Sequence, residues 1–152
     1  MTFGTVLTPL ATAEEALSLI PQRPPFVVVD TLISATGSVF LSSFHVPDEH
    51  VLVHQGALLE AGLMENAAQT AAMGMGWAAK LAGSLPPLGF IGALSKVEIY
   101  GDARCGDRIT TNVSVRHEVM NARVLDAEVR CDRTLLARLE LKVFIIDTPN
   151  AA

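Results

Sequence analysis

The sequence predicts an α+β fold in which one long central helix is wrapped by a curved antiparallel sheet of five to six strands. Three observations carry this expectation. Residues 58–81 form an apolar stretch without proline, whose only charged members are Glu60, Glu65 and Lys80, so a helix there is apolar nearly all round and needs covering on most of its faces. After the break Gly83-Ser84-Leu85-Pro86-Pro87, four segments with strand character follow with turn residues between them. Half of the residues are hydrophobic and 18% are charged, which allows a sizeable core and leaves apolar surface for a partner subunit. Residues 1–152 read as a single domain, since no internal repeat, low-complexity tract or linker interrupts them and only the last five residues, Thr148-Pro149-Asn150-Ala151-Ala152, look like a tail.

Thr12-Ala13-Glu14-Glu15 has the spacing of a capping box ahead of Ala16, Leu17 and Leu19, which predicts a short helix ending near Ile20. Pro21, Pro24 and Pro25 bar its continuation, and Phe26-Val27-Val28-Val29 is a β-branched run suited to a buried strand. Gly37 then turns the chain into Ser38-Val39-Phe40-Leu41-Ser42-Ser43-Phe44-His45-Val46, so a hairpin is expected. In the long helix, Gly74 and Gly76 each sacrifice about 1 kcal/mol of helix propensity relative to alanine, so something must press closely there. Farther on, Leu125, Ala127, Val129 and Cys131 alternate with Asp126, Glu128 and Arg130, and Leu139, Leu141, Val143 and Ile145 alternate with partly charged neighbours. Each pattern fits a strand with one face on the core.

Several function classes are disfavoured. The net charge of -5 and eleven scattered Lys and Arg offer no basic stripe, so no nucleic acid partner is expected. The first twenty residues lack a basic region ahead of an apolar one, and the best apolar stretch is interrupted by Glu65, Asn66, Gln69 and Lys80. A cytoplasmic protein without a membrane span is therefore expected. Cys105 and Cys131 form neither a CxxC pair nor a disulfide framework. His45, Asp48, Glu49, His50 and His54 match no zinc spacing, so no metal is expected. Gly74-Met75-Gly76-Trp77-Ala78-Ala79 has the letters of a dinucleotide motif, but helix rather than strand precedes it, and no cofactor is expected. Without a GxSxG elbow or a cysteine close to a histidine, acid-base chemistry remains.

Its candidates are Glu65 and His54. Glu65 and Gln69 are four residues apart and share a helix face with small apolar residues. Burial there would disfavour the charged form, leaving a carboxyl group able to donate a proton at neutral pH. The competing reading puts Glu65 in the first helical turn, where it would merely complement the helix dipole. His54 precedes the helix in Val51-Leu52-Val53-His54-Gln55-Gly56, where it could act as a base, with nearby amides holding an oxyanion. The competing reading is a loop histidine bonded to the backbone.

Ile20-Pro21-Gln22-Arg23-Pro24-Pro25-Phe26-Val27-Val28-Val29-Asp30 is similar to the Leu-Pro-His-Arg-x-Pro-Phe-Leu-Leu-Val-Asp segment of the hot-dog-fold 3-hydroxyacyl-[acyl carrier protein] dehydratases of fatty acid synthesis. Leu63-Met64-Glu65-Asn66-Ala67-Ala68-Gln69 resembles the helix motif of that family, and residues 89–107 resemble its glycine-containing strand and following Gly-Asp turn. The resemblance implies a hot-dog fold, a dimer with joined sheets, and an active site at the dimer interface. It further implies dehydration of a 3-hydroxyacyl thioester on acyl carrier protein or CoA, with Glu65 as the acid and His54 as the base. Gly62 or Gly56 would hold the thioester carbonyl, Gln69 would orient Glu65, and Phe90 and Gly92 would contribute to substrate binding. The segment after His54 lacks the His-Phe-Pro-Gly pattern and its spacing to Glu65 is shorter than in the family. In this the chain is similar to predicted dehydratases of aryl polyene and related pigment pathways. An oligomer follows from the resemblance, either a homodimer or higher assembly or a heteromer with another hot-dog subunit. A catalytically weak partner subunit and an acyl thioesterase on the same fold are the alternatives.

Overall fold

The structure is a computed structural model that describes residues 8–146; the expected C-terminal tail lies outside them. The chain opens with β1 (Ala11–Thr12) and the short helix α1 (Ala13–Ser18), then forms the hairpin of β2 (Thr31–Thr36) and β3 (Val39–His45). Two short strands, β4 (Val53–His54) and β5 (Ala57–Leu58), lead into the long helix α2 (Glu60–Leu81). Beyond it come β6 (Leu88–Ile99), β7 (Ala103–Arg104), β8 (Arg108–Val119), β9 (Ala122–Cys131) and β10 (Thr134–Ile146). The main sheet has seven strands in the order β1-β2-β3-β8-β9-β10-β6, and β4-β5-β7 form a small second sheet. The expected strand count of five to six falls short because the two-residue strands carry too little pattern to be read from sequence.

The sheet curves round α2. Register shifts interrupt the pairing of β2 with β3, β8 with β9 and β10 with both neighbours, and such bulges bend a strand and tighten its twist. The concave face supplies Val113, Leu125, Ala127, Leu139 and Leu141, which pack with Phe40 against Ala67 and Ala71 of the helix. Burial follows the alternation seen in the sequence, since Leu125, Ala127 and Val129 are buried and Asp126 is exposed.

The helix glycines have the packing reason their presence demanded. A Cβ at Gly74 would overlap the ring of Phe40 on β3, and one at Gly76 would overlap the carbonyl oxygen of Leu19, just past α1. These contacts set how closely the helix approaches the sheet and the N-terminal turn.

Two local expectations are corrected. Thr12 is the N-cap of α1 but its side chain makes no capping hydrogen bond; the Glu15 carboxylate instead accepts from Lys80 Nζ at 2.7 Å, near the end of α2. The run of residues 26–29 joins no strand ladder. At its centre the backbone is satisfied by side chains of α2, because the Val28 N–H donates to Gln69 Oε1 at 2.8 Å and the Val28 carbonyl accepts from Asn66 Nδ2 at 2.7 Å. Polar atoms of a helix thus do for this segment what a neighbouring strand would otherwise do.

Candidate active site

The site is organised by the polar face of α2. Asn66, Gln69 and Thr70 are fully buried, and burying such groups is tolerated only when their hydrogen bonds are made. Each of them is partnered. Thr111 Oγ1 donates to Asn66 Oδ1, Thr70 Oγ1 donates to the Asn66 carbonyl at 2.7 Å, and Ser42 Oγ lies 2.7 Å from Thr70 Oγ1. Because the Thr70 proton is spent on Asn66, Ser42 is the donor in that last contact.

Gln69 uses its whole side-chain amide. Nε2 donates to the Phe26 carbonyl at 2.8 Å and to Glu65 Oε1 at 2.9 Å, while Oε1 accepts from Val28. The bond from Val28 fixes which end of the amide faces the backbone, so the other end must face Glu65. Glu65 is half-buried in the second turn of α2, beyond the first turn where a dipole-complementing role would place it.

Glu65 forms part of the wall of a cavity of about 210 Å³. The helix contributes Ala68, Ala72 and Met75 beside it, β6 contributes Phe90, and Gln22 approaches from the bend after α1. Alanines at the helix positions leave the space that larger side chains would fill. The Phe90 ring stacks on Phe144 with centroids 5.4 Å apart and planes inclined by 21°. Gly92 contributes by having no side chain, since a Cβ there would overlap the Phe144 ring. A second cavity of about 650 Å³ shares Met75, Pro87 and Ile145 with the first and is rimmed by Arg116, His117 and Arg123.

The histidine stands apart from this group. His54 ends β4, and Gln55 and Gly56 form a two-residue turn to β5 in which both have positive φ, 50° and 76°, as a type I′ hairpin requires. This turn exposes His54, and His54 is not among the residues lining the Glu65 cavity. Gly62 is buried under Leu58, and its N–H donates to the Leu59 carbonyl at 2.8 Å, so that amide is already committed. Gly56 lies in the exposed turn, where its carbonyl accepts from the Cys105 N–H at 2.9 Å. Within one chain, then, Glu65, Gln69 and Phe90 meet, Gly92 shapes the wall behind them, and His54 and Gly56 are elsewhere.

Other titratable groups have structural partners. His50 Nε2 donates to the Val27 carbonyl at 2.8 Å and Nδ1 accepts from the Leu52 N–H at 3.0 Å, which fixes the orientation of the ring. Among the described residues no group of three or more His, Cys, Asp or Glu is placed to hold a metal ion, and no helix is long and apolar enough to cross a membrane. The two cysteines are free, with burial pushing the Cys131 thiol up. Two features escaped the sequence reading. Gln22 occupies the position of the histidine in the similar family segment, yet nothing local marks it as part of a cavity wall. Asn66 could have been suspected, because an amide inside an apolar helix needs a buried partner.

β6 forms one edge of the main sheet, and along it Leu88, Phe90, Ile91, Leu94 and Val97 are exposed. A twelve-residue edge strand with apolar side chains is one that a further strand could extend.

Comparison with known families matches residues 14–152 to the ApeP-like family, described as ApeP dehydratase. A comparison with curated proteins gives no match. Among solved structures, the chain is similar to one in the dehydratase heterocomplex ApeI:P from Xenorhabdus doucetiae, with TM-score 0.80 and 17% identity over 88% of this chain and 91% of that one. It is also similar to the E. coli PaaI protein from the phenylacetic acid degradation operon, with TM-score 0.58 and 18% identity over 74% and 80% of the two chains. A third is a hypothetical thioesterase with coenzyme A from Streptococcus pneumoniae, with TM-score 0.62 and 12% identity over 78% and 87%. At these identities the likeness is one of fold, and the fold is the hot-dog.

Proposed function

The chain belongs to the ApeP-like family of dehydratases, and from that premise we propose that it eliminates water from a 3-hydroxyacyl thioester to give a trans-2-enoyl thioester. The observation that carries this reading is the Glu65 carboxyl group, held by Gln69 at the wall of a largely apolar cavity. The reaction asks for a base that takes the proton from C2 and an acid that protonates the hydroxyl leaving C3. Glu65 is the acid in this proposal. An apolar wall of alanine and methionine suits an acyl chain, and the substrate is carried as a thioester on acyl carrier protein or CoA.

The base comes from across a subunit interface. Pairing β6 with a second hot-dog subunit would cover the exposed Leu88, Phe90, Ile91, Leu94 and Val97. Because Gly89, Phe90 and Ile91 also line the Glu65 cavity, the same pairing would finish its wall. His54 is the candidate base, delivered from a second copy to a Glu65 it does not reach as a cavity neighbour in its own chain. Its exposure on a hairpin also favours a second reading, in which a different hot-dog subunit supplies the base and this chain supplies Glu65. The structural likeness to a chain of a dehydratase heterocomplex supports that reading.

The test is to give a 3-hydroxyacyl thioester to the purified chain, alone and co-expressed with a candidate hot-dog partner. Enoyl absorbance is expected in at least one arm, with a loss of about 10²–10⁴-fold in Glu65→Gln. Free thiol released in place of enoyl product would favour a thioesterase. Full activity in Glu65→Gln, or no enoyl product in either arm, refutes the proposal.

A further inference from the structure

Gln22 carries the one buried side-chain oxygen or nitrogen among the described residues that lacks a hydrogen-bond partner, its Oε1. It lies in the wall of the same cavity as Glu65. A buried carbonyl left unpaired costs free energy, whereas the other amide of this site, Gln69, uses all of its side-chain donors and its acceptor. No group among the described residues donates to it; the cavity wall carries the side chains of Ala68, Ala71, Ala72, Met75 and Val143 beside Glu65, and Gln69 spends both amide hydrogens on Phe26 and Glu65. What would satisfy this oxygen is a donor brought in by a ligand.

We propose that Gln22 Oε1 accepts a hydrogen bond from the 3-hydroxyl group of the acyl substrate and makes the site selective for 3-hydroxyacyl over saturated acyl thioesters. This rests on the dehydratase reading above. A hydroxyl group has one proton to donate and lone pairs to accept with. With its proton directed to Gln22, a lone pair is left for Glu65. In the elimination, the base from across the interface takes the C2 proton, the C2–H electrons become the C2=C3 bond, the C3–O bond breaks, and the oxygen takes the Glu65 proton and departs as water. Gln22 neither gains nor loses a proton; it holds the hydroxyl before the step and the water after it. The enoyl product has no hydroxyl and forfeits this contact, which favours its release.

The experiment compares binding of 3-hydroxyoctanoyl pantetheine and octanoyl pantetheine by calorimetry. It uses the complete chain with its partner subunit, in a Glu65→Gln background so that the first ligand is not consumed. The parent is expected to prefer the hydroxylated ligand by about tenfold, the size of one good hydrogen bond to a buried group. Adding Gln22→Met should weaken the hydroxylated ligand alone and bring the ratio near one. Its thermal unfolding should stay at or above the parent's, since an unpaired buried carbonyl is removed; Gln22→Leu serves if the methionine variant does not fold. A preference that survives in Gln22→Met, an equal weakening of both ligands, or weakened subunit assembly with selectivity intact each overturns the proposal. No preference in the parent, with wild-type protein that does form enoyl product, overturns it as well and leaves the dehydratase reading standing. A wild-type protein that forms no enoyl product removes that reading and this one together.

Discussion

Replacing Gln69 with leucine tests the bracing of the site directly, because it removes three hydrogen bonds at nearly constant volume. The Val28 residue is fully buried, so its N–H would be left unpaired in the interior at a cost of about 1–3 kcal/mol. Losing the bonds to Phe26 and Glu65, both partly buried, adds about 0.5–1.5 kcal/mol each. The leucine side chain returns roughly 1 kcal/mol through added apolar burial. The net destabilisation is therefore about 3 kcal/mol, which for a chain of this size lowers Tm by roughly 6–12 °C. Thermal unfolding followed by circular dichroism at fixed protein concentration reads the shift. A change within about 2 °C would refute the reasoning, since it would mean that residues 26–29 do not depend on α2 for their backbone partners. Gln69→Glu sharpens the test, because it keeps an acceptor for Val28 while setting a second carboxyl group against Glu65.

Gly76→Ala is expected to destabilise by about 1–3 kcal/mol in urea denaturation despite the helix propensity it gains, because the added methyl group meets the Leu19 backbone. Met73 is fully buried between α2 and the N-terminal turn, and Met73→Ala should cost about 2–5 kcal/mol in the same assay. Ile91→Lys places a charge on the exposed β6 edge, so on the proposed β6 pairing light scattering should find the subunits dissociated while circular dichroism still reports a folded chain. The pH dependence follows from Glu128, whose carboxyl is held below the usual range by Arg130, and further by Arg138, against the opposing effect of burial. With its folded pKa below the unfolded one, its contribution is fully present above about pH 4.3 and is lost as pH falls through the folded value. Acid unfolding should therefore be shallower in Glu128→Gln than in the wild type.

The parts of this fold that were legible in the sequence are those whose pattern is long. Twenty-two residues of helix and four long strands announce themselves by periodicity, and Gly37 marks its hairpin by sitting at a φ of +59°. Residues 26–29 read as a strand in the sequence because β-branched propensity says nothing about where a backbone finds its partners, and here the Phe26 carbonyl and both Val28 groups find theirs in side chains 38 to 43 positions away. The capping box failed for a related reason, since Glu15 finds a better partner in Lys80, sixty-five positions on. At the site, Glu65 and Gln69 were readable as a pair because one helix face fixes their neighbourhood. Gln22 was not, because its place in the cavity wall is set by tertiary packing after the bend that follows α1.

The bare β6 edge has a consequence for how the protein comes into being. Until another strand covers it, a freshly made chain presents an extended apolar template that any passing unfolded peptide can extend. On the proposed pairing, the chain's soluble yield becomes a matter of timing, set by how soon a second hot-dog subunit is on hand. Under that proposal, making the two subunits from one transcript, or in close proximity, would shield the template before stray polypeptides could latch onto it.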